Sequence, residues 1–215
     1  MNFQNSSLQK LWKDALVFSL DGTHGRYGDA ICYEQLNVCI TLTRPFKDIT
    51  EPLRSLAIRH NWIYPDLHEL KSIVLEKHSS PHYKYSYANR LFAYQDIYDQ
   101  IGSYVLPLLA KDPLSRRACV SLIDPAKDAF SENSFFPGLS LIQFQVRNGS
   151  LVLSAFIRSC DAFLGLPANL FQLKCIGDLV AAKLDLGFEQ ISIFTPNLHV
   201  YEHMLPEISL YVKRT

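Results

Sequence analysis

Apolar residues recur along parts of the chain with the three-to-four-residue spacing of amphipathic helices. Leu8–Leu20 follows this spacing and ends before a turn-rich stretch, which predicts a helix followed by a loop. Residues 94–109 and 169–184 follow it as well, and the latter stretch predicts a buried central helix ending near Gly187. Pro107 lies in the last turn of the helix predicted for residues 94–109, and we expect it to disturb only that turn.

Other stretches alternate apolar and polar residues and are rich in β-branched side chains, which predicts strands. The predicted strands are residues 36–42, 118–123, 140–146, 151–157 and 191–194. The first stops at Arg44-Pro45, and Asn148-Gly149 predicts a tight hairpin between the third and the fourth. Helices and strands do not alternate regularly, so the pattern favours an α+β fold, with a mostly antiparallel sheet packed with helices, over a doubly wound parallel sheet.

Composition indicates a soluble protein and argues against several functions. The chain has 215 residues, 48% of them hydrophobic, so we expect a single domain over residues 1–215. Lys+Arg and Asp+Glu both number 21, which argues against general binding to nucleic acid or to a membrane surface. Residues 1–10 are polar, and no apolar run approaches the roughly 18 residues of a membrane span. Five scattered cysteines without a C-x-x-C pair are typical of reduced thiols, so we expect a cytoplasmic protein without a metal.

The most specific signal is a twelve-residue segment. Residues 158–169 read Arg-Ser-Cys-Asp-Ala-Phe-Leu-Gly-Leu-Pro-Ala-Asn. This segment resembles the signature of thymidylate synthases and pyrimidine-nucleotide hydroxymethylases, with the same spacing throughout. The resemblance extends over about residues 83–203 and includes a Ser-Arg-Arg segment at residues 115–117. It implies a thymidylate synthase-like fold and a homodimer with the sheet at its two-fold interface.

Phosphate binding is the first function that the resemblance implies. Arg158 and Ser159 would bind the phosphate of a pyrimidine nucleoside monophosphate from one subunit, and Arg116 and Arg117 would reach it from the other. Arg26 is a further candidate for the arginine that closes over the same phosphate. Guanidinium groups bind phosphate oxygens in pairs, and a serine hydroxyl adds a donor, so the residue types fit this role. For any one arginine alone, a solvated surface charge is the alternative.

The resemblance also implies roles for residues around the base and the sugar. Asn169 corresponds to the asparagine that reads the pyrimidine edge, and an amide both donates and accepts, as uracil demands. Relatives that act on cytosine tend to carry aspartate there, so uracil is favoured. His199 and Tyr201 correspond to the pair that holds the sugar 3′-hydroxyl. Asp161 corresponds to an aspartate that contacts the folate ring, which implies methylenetetrahydrofolate as one-carbon donor. A buried ring stack and a helix cap are the alternatives for these residues.

One position departs from the family in a way that affects the chemistry. Relatives carry proline-cysteine where residues 137–139 read Pro-Gly-Leu, and the cysteine thiolate attacks C6 of the pyrimidine. Gly138 offers no nucleophile, so another group performs the addition, or the chemistry is not covalent, or nothing is catalysed. Cys160 and Cys119 are candidates for a relocated nucleophile, because nearby arginines lower a thiol pKa, and packed core thiols are the alternative.

Two further departures concern proton transfer and folate. Family synthases use a glutamate in a histidine-glutamate-leucine-leucine context, and His68-Glu69-Leu70 is similar but comes later in the chain and lacks the second leucine. Glu69 is therefore either the general acid–base or a solvated helix glutamate. The sequence given ends at Thr215, whereas full-length synthases continue to an apolar tail that closes over folate.

The sequence thus supports two classes of function. The first is an enzyme that methylates or hydroxymethylates C5 of a uracil nucleoside monophosphate. The second is a non-catalytic nucleotide-binding protein, or an enzyme with different chemistry on the same fold.

Overall fold

The computed structural model describes residues 1–60, 64–77, 86–129 and 136–212. The helices are α1 (Leu8–Leu20), α2 (Glu51–Arg59), α3 (Leu67–Leu75), α4 (Tyr87–Phe92), α5 (Leu106–Lys111), α6 (Pro125–Asp128), α7 (Gly165–Lys183) and α8 (Leu205–Tyr211). The strands are β1 (Asn2–Ser7), β2 (Thr23–Tyr27), β3 (Ala30–Lys47), β4 (Cys119–Ser121), β5 (Leu139–Arg147), β6 (Ser150–Ile157), β7 (Cys160–Asp161) and β8 (Gly187–Tyr201).

One eight-stranded sheet organises this α+β fold. Its main path runs β1-β3-β8-β6-β5-β4, with β2 paired to β3 and β7 paired to β8. The pairs β2–β3, β3–β8, β4–β5 and β5–β6 are antiparallel, whereas β1–β3, β6–β8 and β7–β8 are parallel. The α+β class is therefore confirmed, but the sheet is mixed, because α7 carries the chain back over the sheet and lets β8 run parallel to β6.

Several predicted elements occur with small changes. Helix α1 has the predicted bounds, and its buried residues form part of the core. The hairpin turn is present, with positive φ at both Asn148 and Gly149. Helix α7 begins at Gly165, earlier than predicted, and includes Pro167 near its start, where a missing N–H breaks no helical bond.

The helix predicted for residues 94–109 is wrong over its first half. Gln95 and Asp96 have positive φ, and Ile97, expected on the buried stripe, is 85% exposed. Regular structure begins with a π-helical turn over Ile101–Val105, and α5 follows directly. Pro107 is therefore near the start of an α-helical segment and does not disturb the end of one.

Strand β3 is much longer than the predicted strand at residues 36–42, and Arg44-Pro45 does not end it. Pairing between β3 and β8 stops at Thr43, and the pairing with β1 is irregular between Leu42 and Lys47. Pro45 lies in this irregular stretch, where its missing N–H interrupts no regular ladder. The longer strand brings residues 32–35 beside the end of β8.

Trp12 tethers the segment that follows β7. Its indole Nε1–H lies 2.9 Å from the carbonyl oxygen of Ala162 and 3.1 Å from that of Phe163. Trp12→Phe is expected to lower the free energy of unfolding by about 1–3 kcal/mol, because two buried carbonyls lose a shared donor. Chemical denaturation measures this loss. Val17→Ala, at an exposed position of the same helix, is the control and should change stability by less than about 0.5 kcal/mol.

Candidate functional site

A cavity of about 470 Å³ opens beside β7, where β2 and β8 end and β3 begins. This volume lies within the roughly 300–1,000 Å³ of small-molecule sites. The residues that line it are Tyr27, Cys32, Glu34, Arg158, Ser159, Asp161, Asn197, His199 and Tyr201. Five of them were predicted as site residues from the sequence, namely Arg158, Ser159, Asp161, His199 and Tyr201.

A change of alternation along β8 turns His199 and Tyr201 towards this cavity. From Ile191 to Thr195 the buried positions are odd-numbered, whereas beyond Thr195 the even-numbered Leu198 and Val200 are fully buried. The paired strand has a matching irregularity, with positive φ at Asn37. The odd-numbered side chains from Ile191 to Thr195 therefore face the core, whereas the odd-numbered His199 and Tyr201 line the cavity.

Arg158 directly follows β6, and part of its guanidinium group is already hydrogen-bonded to the backbone. Nε donates to the carbonyl oxygen of Pro137 at 3.1 Å and Nη2 to that of Phe136 at 3.0 Å, and the group lies over the Phe136 ring. Within the described part of the chain Nη1 makes no hydrogen bond or ion pair. The side chain is thus positioned by the backbone before β5 and still has donors for an anion. The neighbouring Ser159 hydroxyl has no hydrogen-bond partner among the described residues.

Asp161 is a cavity carboxyl group held in one orientation by the chain that follows it. Its Oδ1 accepts hydrogen bonds from the backbone N–H groups of Phe163 at 2.8 Å and Leu164 at 3.3 Å. Burial raises the pKa of Asp161, and these hydrogen bonds and the nearby His199 oppose that increase. No hydrogen bond to Oδ2 occurs within the residues that the structure describes, so this oxygen is available to a ligand.

His199 is arranged as a hydrogen-bond acceptor. Its Nδ1 lies 2.9 Å from Oδ1 of Asn197, which can only accept, so with this amide orientation Nδ1 carries the hydrogen. Burial lowers the pKa of His199, while Asp161 and Glu34 oppose the decrease, so the ring is neutral near pH 7 and Nε2 accepts. The Tyr201 ring packs edge-on against it at 5.0 Å, and burial raises the Tyr201 pKa, which keeps its hydroxyl protonated.

Asn169 and Cys160 lie next to the cavity but do not line it. Asn169 Nδ2 is 3.8 Å from Cys160 Sγ, and a Cβ on Gly165 would lie 3.8 Å from the same Nδ2 and 3.4 Å from Asp161 Cβ. Burial raises the pKa of the Cys160 thiol to about 12, so the packed-thiol alternative describes it better than the nucleophile. Cys119 lies on the edge strand β4, three strands away from β8 and the cavity.

Gly138 immediately precedes β5 and leaves room for a side chain. A Cβ there would lie 3.7 Å from Tyr87 Oη and 4.0 Å from the Ser159 carbonyl oxygen, which are ordinary contact distances. Tyr87 Oη accepts a hydrogen bond from the Leu139 N–H at 3.2 Å, and the Arg158 N–H donates to the Gly138 carbonyl oxygen. A larger residue is therefore compatible with this backbone, close to two cavity residues.

Four other predicted site residues are not at this cavity. Arg116 and Arg117 are exposed and precede β4, which is three strands from β8 and hence about 14 Å away. Arg26 is exposed on β2, and its neighbour Tyr27 reaches the cavity instead. Glu69 is exposed in the first turn of α3, where Asp66 accepts a hydrogen bond from its backbone N–H, so its position matches the solvated-glutamate alternative.

Sequence reasoning missed the cavity residues of β2 and β3, of which Glu34 is the most notable. The strand predicted at residues 36–42 ended too early to include Cys32 or Glu34. The available signal was that Cys32, Tyr33 and Glu34 extend the alternating strand pattern of residues 36–42 towards the N-terminus. Their pairing with Tyr201 and His199 follows only from the register of β3 with β8.

The described residues contain neither a candidate metal centre nor a membrane-spanning helix. Among residues 1–60, 64–77, 86–129 and 136–212, no group of three or more His, Cys, Asp or Glu residues is placed to hold a metal ion. None of the helices in this part of the chain is long and apolar enough to cross a membrane.

Comparison with known proteins gives one consistent result. The sequence model of a family described as thymidylate synthase matches residues 56–215. A provisionally named thymidylate synthase of Methanocaldococcus jannaschii is 31% identical over 55% of this chain and 56% of its own length. A provisionally named one of Methanosarcina acetivorans is 30% identical over 66% of this chain and 64% of its own length. A thymidylate synthase of Fusobacterium nucleatum is 32% identical over 58% of this chain and 46% of its own length. The chain thus spans about half to two thirds of these relatives.

Proposed function

The chain belongs to the thymidylate synthase family, as a divergent member, and we propose that it transfers a one-carbon unit to C5 of a uracil nucleoside monophosphate. The observation that carries the proposal is the convergence of Arg158 and Ser159 with His199 and Tyr201 on one cavity. These side chains offer donors for a phosphate at one end and partners for sugar hydroxyl groups at the other. Asn169, which lies next to the cavity on α7, would read the uracil edge.

The proposed chemistry differs from that of relatives because Gly138 has no nucleophile. Cys160 does not replace it, since its thiol is buried and stays protonated. The residues that remain around the cavity can bind and orient the nucleotide. Transfer to C5, by methylation or hydroxymethylation, would therefore proceed without the family's thiol addition.

Methylenetetrahydrofolate is the proposed one-carbon donor, and Asp161 fits the contact that the family makes with it. Its Oδ1 is held by two backbone N–H groups, and the side chain lines the cavity, so Oδ2 would accept a hydrogen bond from the folate. When bound, the folate would supply carbon at the oxidation level of formaldehyde, which gives hydroxymethylation with water, and the hydride that methylation also requires. Asp161 would orient that ligand relative to the nucleotide.

A homodimer is proposed because two of the phosphate arginines are far from the cavity within one copy. The guanidinium groups of Arg116 and Arg117 are exposed and make no hydrogen bond or ion pair with any described residue. On the same sheet, Leu141, Phe156 and Phe194 form a row across β5, β6 and β8 on the face opposite the core, and Leu141 and Phe194 are 39% and 38% exposed. Burying this row against a second copy would bring the arginines of one subunit to the cavity of the other.

Binding and turnover measurements test the proposal together. Calorimetry with UMP, dUMP, CMP and dCMP is expected to show tighter binding of the uracil nucleotides than of their cytosine counterparts. Incubating the protein with methylenetetrahydrofolate and a uracil nucleotide tritiated at C5 should release tritium to water. If all four nucleotides fail to bind at millimolar concentration, the assignment of the cavity is wrong.

A second candidate function is nucleotide binding without catalysis. Gly138 favours it, because Arg158, Ser159, His199 and Tyr201 line one cavity while the side chain that starts the family's chemistry is missing. Binding of a uracil nucleotide without tritium release and without a C5 product would identify this function.

A further inference from the structure

Glu34 places a carboxylate in a cavity that is otherwise suited to an anion. Its Oε1 accepts a hydrogen bond from the Cys32 thiol at 3.3 Å. Oε2 lies against β2, where an added Cβ on Gly25 would be only 2.5 Å from it. Glu34 takes part in none of the salt bridges among the described residues. A ligand group next to this carboxylate must therefore donate hydrogen bonds, since a carboxylate only accepts them.

The strand register adds a second acceptor beside the first. Glu34 pairs with His199 across β3 and β8, as Cys32 pairs with Tyr201. Neutral His199, with its Nδ1 hydrogen directed to Asn197, presents Nε2 as an acceptor. Glu34 is half-buried and His199 is buried, so a ligand that displaces water from both must supply two donors to replace the hydrogen bonds that are lost.

The position of the phosphate decides which part of a nucleotide meets these acceptors. Like charges repel, so the phosphate binds at Arg158 and Ser159 and not beside Glu34. The sugar then lies at Glu34, His199 and Tyr201. Ribose offers adjacent 2′- and 3′-hydroxyl donors, whereas deoxyribose offers only the 3′-hydroxyl.

We infer that Glu34 accepts a hydrogen bond from a ribose 2′-hydroxyl and makes the site selective for ribonucleotides, with UMP preferred to dUMP. The inference rests on the proposed function and specifies its substrate class. Cys32 acts as a positioning residue that holds Oε1. Burial and the Glu34 carboxylate raise the pKa of the Cys32 thiol to about 11, so it stays a hydrogen-bond donor near pH 7.

Calorimetry with UMP and dUMP on the wild-type protein, Glu34→Ala and Glu34→Gln tests this selectivity. The wild-type protein should bind UMP about tenfold to a hundredfold more tightly than dUMP, as expected for one additional hydrogen bond to a charged group. Glu34→Ala should bring this ratio close to one, and Glu34→Gln, which keeps one acceptor oxygen, should give an intermediate ratio. Glu189→Gln, an exposed glutamate of β8, is the matched control and should keep the wild-type ratio. Thermal melting establishes that each variant is folded.

The outcomes separate this inference from the proposed function. Equal or tighter binding of dUMP by the wild-type protein overturns the ribose selectivity and leaves the nucleotide site intact. An unchanged ratio in both folded Glu34 variants overturns the role of Glu34. Failure of both nucleotides to bind the wild-type protein overturns the proposed function, and the inference with it.

Discussion

Gly138→Cys is expected to release tritium from C5-tritiated uracil nucleotide at least about a thousandfold faster than the wild-type protein. The new Cβ has ordinary contacts with Tyr87 and with the Ser159 backbone, so the fold should accept it. A thiolate at this position would add to C6 and make C5 nucleophilic, as it does in relatives with cysteine there. The rate of tritium release, measured with UMP and with dUMP, checks the prediction.

Gly138→Ala and Gly138→Ser are the matched controls for this substitution. Alanine fills the same space without a nucleophile, and serine adds a much weaker one, so both should remain at the wild-type rate. If the wild-type protein already exchanges C5 as fast as Gly138→Cys, a different group performs the addition. If the folded cysteine variant binds nucleotide but releases no tritium, residue 138 does not face the pyrimidine ring.

Arg158→Ala is expected to weaken nucleotide binding by about tenfold to a hundredfold, because a charge-assisted hydrogen bond to phosphate contributes about 1.5–3 kcal/mol. The loss should be similar for UMP and dUMP, since the phosphate is common to both. Binding of uridine, which lacks the phosphate, should change much less. Calorimetry with the three ligands measures these differences, and Arg147→Ala, an exposed arginine at the end of β5, is the control.

The same substitution also tests whether the site is shared between subunits. Arg116→Ala should weaken phosphate binding as Arg158→Ala does, if the partner's arginine completes the site. A mixed dimer of the two variants has one site with both substitutions and one site with neither, so mixing should restore tight binding to about a quarter of all sites at random pairing. Tight binding by Arg116→Ala alone, or no recovery on mixing, would contradict a shared site.

Much of the site was predictable from the sequence because it lies in one continuous motif. Arg158, Ser159 and Asp161 are close in sequence, and the turn from β6 through β7 into α7 keeps them close in space. The strand and helix patterns around them are strong, so their local structure follows from short-range preferences. Their convergence with His199 came from the family resemblance.

The rest of the site was not predictable because it depends on pairing between distant strands. Glu34 reaches the cavity only through the register of β3 with β8, and no local pattern reports that register. The predicted strand covered only residues 36–42 of β3, which runs from Ala30 to Lys47. The strand continues past Pro45 because its pairing with β1 is irregular there, and it also contains Asn37 with a positive φ. The helix predicted from residue 94 was wrong for a different reason. Ile97 has the apolar spacing of a buried helix face but is exposed, and Gln95 and Asp96 have positive φ.

The change of alternation in β8 has a consequence for how this protein can vary. Leu198 and His199 are neighbours that point in opposite directions, the first into the packed interior and the second towards a ligand. A substitution that repacks Leu198 will rotate the peptide that it shares with His199. Changes in the stability of the fold and in the ligand selectivity of the site are therefore coupled along this strand. Tyr27 of β2, a strand that pairs with β3, lines the cavity from an exposed position, so it can change with less effect on the packed interior.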